Sequence, residues 1–177
     1  MSTNDDSLVI KRKITGTPQI ETPKRSDQLG VAEFLVEIDT LLAIEGVMAV
    51  RWTQFTPYFN DGDECVFGAG EPEVLLGGKF GASAVWRGQY SLYTRDPEAG
   101  PAPDWRGLDG YRVYRDWDEM SRLYAINGQP TREVEEALKN FSARMTSFYD
   151  VLYKNFGDHA TVTASTDGFE IEFYDHD

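Results

Sequence analysis

The sequence predicts a single α+β domain in which a mostly antiparallel sheet packs against two main helices. Three observations predict it. Apolar residues recur every three or four positions in two stretches, around 26–46 and 131–155, as one buried helix face requires. Two alternating runs near the C-terminal end flank an Asp-Gly pair, a favoured β-hairpin turn. The chain has 177 residues, 41% of them hydrophobic and 13% aromatic, enough to bury one core without a second independent domain.

Residues 1–25 mix Ser, Thr, Asp and Lys with widely spaced apolar positions, and Pro18 and Pro23 interrupt any helical period. A disordered or extended arm is expected there, with residues 26–177 as the domain. A helix begins at Ser26 or Asp27, carries Val31, Phe34, Leu35, Ile38, Leu41 and Leu42 at spacings of three and four, and stops at Gly46. Positions 47–55 are rich in β-favouring residues, apolar on both alternating faces at the start, as in a central strand. Pro57 and Asn60-Asp61-Gly62-Asp63 mark a turn, from which 65–67 return as a short strand. Further strands are expected over 73–76 and 84–93, before a proline-punctuated loop.

Asp116 and Glu119 have capping-box spacing, which predicts a short helix over 117–126 ended by Asn127-Gly128. The strongest helix, about 131–155, carries Val134, Leu138, Phe141, Met145, Phe148 and Leu152 at helical spacing and ends at Gly157. Runs 160–165 and 169–174 close the chain as a hairpin. Phe169, Ile171 and Phe173 share its packed face, and Glu170, Glu172 and Tyr174 share the wet one.

Net charge is −13. Five Lys/Arg against Asp5, Asp6 and Glu21 leave residues 1–26 at +2, so the remainder carries −15. Such a body repels phosphate backbones, which disfavours nonspecific nucleic-acid binding and favours basic protein surfaces as partners. No apolar run reaches the roughly 20 residues a membrane span needs. Cys65 is the single cysteine, so no internal disulfide can form, and the cytoplasm is the expected location.

Residues 51–65 place aromatic, amide and acidic groups around one tight turn. The run Trp52-Thr53-Gln54-Phe55-Thr56-Pro57-Tyr58-Phe59-Asn60-Asp61-Gly62, followed by acidic residues and Cys65-Val66-Phe67, resembles a pattern in a group of bacteriophage-encoded proteins. Phe156-Gly157-Asp158-His159, Asp167-Gly168-Phe169-Glu170 and Tyr174-Asp175-His176-Asp177 resemble the same group's C-terminal end. The resemblance implies a phage origin, hence a host cytoplasm and a protein partner in the infected cell. It brings no activity with it.

The expected functional surface is this segment. Trp52 and Tyr58 would give aromatic contact, Gln54 and Asn60 hydrogen bonds, and Asp61 and Asp63 charge complementarity. The competing reading is a hairpin turn whose Asn, Asp and Gly simply supply left-handed backbone. Asn60, Asp61, Asp63 and Glu64 do not have calcium-loop spacing, and no bidentate Glu stands a dozen residues from the start. His159 and His176 lie beside Asp158, Asp175 and Asp177, but a metal centre needs three or four convergent ligands. Acidic neighbours, which disfavour a thiolate, disfavour Cys65 as a nucleophile. No Gly-x-Ser-x-Gly, phosphate-cradling loop or paired Cys motif is present, and no metal or cofactor is expected.

The aromatic and Arg residues between Trp86 and Trp117 serve as core filling in preference to a recognition surface. The sequence therefore favours a noncatalytic binding protein that modulates a host or phage protein or captures a small ligand. The alternatives are a small metal-dependent enzyme using Asp61, Asp63 and a histidine, or a minor virion or assembly component.

Overall fold

A computed structural model describes residues 9–18, 28–58, 62, 65–100 and 118–174. In chain order its elements are β1 (Ile14–Thr15), α1 (Val31–Leu42), β2 (Val47–Phe55), β3 (Gly68–Ala69), β4 (Glu73–Leu76) and β5 (Val85–Gly88). There follow β6 (Thr94–Arg95), β7 (Arg122–Leu123), β8 (Ala125–Ile126), β9 (Gln129–Pro130), α2 (Arg132–Arg144), α3 (Tyr149–Phe156), β10 (Ala160–Ser165) and β11 (Gly168–Phe173). The main sheet runs β1-β11-β10-β2-β4-β5, with β3 also paired to β2, and every pairing but that of β1 is antiparallel. The predicted α+β architecture, helices on a mostly antiparallel sheet, is the one observed.

The helices supply one apolar layer. Val31, Phe34, Ile38 and Leu41 are buried from α1, and Val134, Leu138 and Phe141 from α2. The stripe continues through Met145, Phe148 and Leu152, all buried, although a 3-10 turn at Met145–Phe148 separates α2 from α3. One helix was expected there, and the apolar spacing survives the break because the tighter turn keeps the same face inward. Phe34 is the hub, with ring centroids of Trp52, Phe141, Phe148, Phe156 and Phe169 all within 6.2 Å. On the sheet side Val50, Trp52 and Gln54 of β2 and Ala160, Val162 and Ala164 of β10 complete the layer.

Several local expectations are revised. Residues 118–120 are helical, but 122–126 form β7 and β8, and Asn127-Gly128, with φ of 50° and 74°, turns the tight β8–β9 hairpin. A dipeptide that suits a helix end also suits a two-residue hairpin turn, and strand pairing decided between them. The strand expected over 65–67 lies at Gly68–Ala69, opposite Phe55 and Gln54. The strand expected over 84–93 shortens to β5 and passes into a 3-10 turn at Gln89–Ser91.

Residues 9–18, part of the segment expected to be an arm, dock on the body, with Ile14–Thr15 as a short strand. Ile14 and Thr15 pair parallel with Phe169 and Glu170, Ile10 is buried, and its N–H donates to Asn155 Oδ1 at 3.0 Å. Arg12 forms a two-pronged pair with Asp39, 2.7 Å on each prong. Gly16 lies where any Cβ would fall 2.6 Å from the Ile171 carbonyl oxygen, so the close approach of arm and sheet requires glycine.

Candidate functional site

Phe55, at the end of β2, leads into the segment singled out by sequence, and the same end of the sheet holds the start of β10 and the end of β11. Antiparallel registration puts Gln54 opposite Ala160 and Ala160 opposite Phe173, so three distant stretches of chain share one corner.

Gln54 is fully buried at this corner. Its Oε1 accepts from Trp52 Nε1 at 3.0 Å, and its Nε2 donates to the carbonyls of Leu152 at 3.2 Å and Gly157 at 2.5 Å. The Gly157 carbonyl belongs to the cap of α3, a group that a helix cannot satisfy by itself, and the Leu152 carbonyl lies one turn earlier. One amide thus ties the sheet to the helix end and gives the buried indole its acceptor. Trp52 is 1% exposed and Gln54 0%. Neither can touch a partner in this state; both hold the corner together.

Gly157, at φ 81°, ends α3, and the chain turns through Asp158 and His159 into β10. Asp158 Oδ1 accepts from the backbone N–H groups of Thr56 at 2.7 Å and His159 at 2.8 Å, clamping the end of β2 to the start of β10. His159 takes a left-handed φ of 56°, which histidine tolerates better than most residues. The turned backbone presents the imidazole beside Tyr58, with 4.8 Å between centroids and 3.3 Å from Nδ1 to the phenol oxygen. Phe173 also neighbours the imidazole, at 6.3 Å between centroids and nearly parallel, 10° between planes. Nearby, Phe55 meets Tyr174 at 5.6 Å, and the Tyr174 N–H donates to the His159 carbonyl.

The result is a cluster of three rings in which His159 neighbours both Tyr58 and Phe173. Tyr58 is 73% exposed and Phe173 70%. Of the six predicted binding residues, Tyr58 is at the surface, Trp52 and Gln54 support it from below, and Asn60, Asp61 and Asp63 lie outside the described residues. His159 entered the sequence reading only as a weak metal or acid–base candidate. Phe173 was assigned to the packed face of the hairpin. It does continue the row of Phe169 and Ile171, but burial falls along that row, from Phe169 at 3% exposed to the outward Phe173.

Elsewhere the opposite face of the sheet is half exposed. Arg51 lies across it, 2.5 Å from Glu73 Oε2 and with its guanidinium 4.1 Å above the Trp86 ring. A shallow groove of about 270 Å³ lies by the arm and the β10–β11 turn, lined by Lys13, Thr15, Thr163, Ser165, Asp167 and Glu170 among others. Among the described residues no three His, Cys, Asp or Glu side chains are grouped to hold a metal ion, and no helix is long and apolar enough to cross a membrane. Cys65 is half buried outside any strand. No protein-family model, curated protein or solved structure matches the chain.

Proposed function

We propose that this protein is a small acidic binding protein of phage type that acts without catalysis, by docking a host or phage protein on the aromatic corner at the end of β2. One observation carries the reading: two large rings, Tyr58 and Phe173, stand mostly exposed next to His159 in a corner whose backbone is clamped from beneath. Exposed aromatics cost solvation, and rigid aromatic anchors are what interface hot spots favour. Support comes from the buried amide of Gln54 and the carboxylate of Asp158, which hold the cluster in place before any partner arrives and so lower the ordering cost of binding.

The test is capture from lysate of the infected host by the tagged full chain, after nuclease treatment, with mass spectrometry. One stoichiometric protein that is retained by the unaltered chain and lost by a Tyr58→Ala, Phe173→Ala double variant is the expected result. A partner held equally by the double variant overturns the site. A chain that retains nothing overturns the reading.

A further inference from the structure

We infer that the Tyr58–His159–Phe173 cluster receives a cationic side chain, an arginine or lysine on an exposed segment of the partner protein; this rests on the binding reading above and names the partner's chemistry.

The shape of the site comes first. Tyr58 and Phe173 both neighbour His159 and both are mostly exposed, so they offer ring surface to solvent. An aromatic face carries the negative lobe of its quadrupole and attracts a cation placed over it. Within this fold the same pairing already recurs: Arg51 over Trp86 at 4.1 Å, Arg122 over Tyr93 at 4.5 Å and Arg132 over Tyr124 at 3.7 Å.

Charge then selects the occupant. The chain carries −13, and −15 beyond residue 26. Asp158 directly precedes His159 in the chain and accepts its backbone N–H, so its carboxylate borders the rings. An aliphatic side chain would gain ring contact only. An anionic headgroup or nucleic-acid phosphate would meet repulsion. A guanidinium or ammonium gains both the ring face and the field, and guanidinium, which is planar and weakly hydrated, stacks better.

The experiment titrates the isotope-labelled full chain with a peptide of alternating Arg and Gly, and with the same peptide carrying citrulline, the uncharged isostere, at each Arg. The expected result is NMR shift changes concentrated at Tyr58, His159 and Phe173. Binding should be about fivefold weaker or worse for the citrulline peptide, and similarly weaker for Phe173→Ala with the arginine peptide. The citrulline comparison uses the unaltered protein and stands whatever the variant does to folding. Shifts spread over the helix carboxylates Glu33, Glu133 and Glu136, equal binding of the citrulline peptide, or no binding overturns the inference. A partner captured from lysate in a Phe173-dependent way, whose contact segment lacks Arg and Lys, overturns the cation while leaving the binding reading intact.

Discussion

Gln54 shows at the residue scale how a side chain read as a surface group becomes a structural one. Its amide satisfies the indole of Trp52 and two carbonyls at the end of α3, all in buried surroundings. Gln54→Leu keeps the volume and strips the buried Trp52 indole and the Gly157 carbonyl of this partner, so it is expected to cost about 3 kcal/mol, or roughly 6–12 °C in thermal midpoint for a chain of this size. Calorimetry checks it; a loss under about 2 °C would mean that water replaces the amide. The opposite holds at the surface. Phe173→Ser removes an exposed ring and should leave the midpoint within about 2 °C, or raise solubility, while abolishing partner capture. Phe173 was legible as a β-strand residue by alternation but not as a surface residue, because alternation assigns a face and not the extent of what covers that face.

The arm and the tyrosine cluster belong to the scale of elements. Residues 9–18 bury Ile10, pair with β11 and bridge to α1 through Arg12 and Asp39. Deleting residues 1–18 loses the burial of one large aliphatic side chain, about 2–3 kcal/mol, and bares the edge of the closing hairpin. The expected outcome is a midpoint lower by about 4–12 °C together with concentration-dependent self-association in light scattering; a stable monomer would show that the arm merely rests on the body. The exposed Arg12–Asp39 pair is a minor part of that loss.

Tyr93 gives the pH dependence. Burial lifts its phenol above the ordinary value of 10.0, against the opposing pull of Arg122. A raised acid holds its proton longer in the folded state, so its contribution is whole below pH 10 and is lost as pH rises past that value. Thermal midpoints measured between about pH 9 and 11 should therefore fall, and less steeply in Tyr93→Phe. An identical slope in both proteins would reject the assignment.

For the molecule as a whole the dominant quantity is charge. A body at −15 meeting a basic partner gains mostly in association rate, and that gain is screened as the Debye length shrinks from about 10 Å at 0.1 M salt to about 3 Å at 1 M. Partner affinity is expected to fall by an order of magnitude or more over that range, measured by titration calorimetry at fixed pH. Salt-independent affinity would place the binding energy in the aromatic cluster alone.

The sequence by itself determined the fold class, both apolar helix faces, the central strand β2, the β10–β11 hairpin and the acidic balance. Each is written in one-dimensional periodicity or in composition, and periodicity survives even a helix broken by a 3-10 turn. Only the tertiary structure decided which of the aromatic and amide residues of the 52–58 segment face inward, because Trp52 and Gln54 were drawn into the core by partners that lie about a hundred residues away, at Leu152 and Gly157. It also decided that Tyr58, His159 and Phe173 form one cluster. That juxtaposition depends on antiparallel register between β2, β10 and β11, and register is set by which strands pair, a choice no local run of residues encodes.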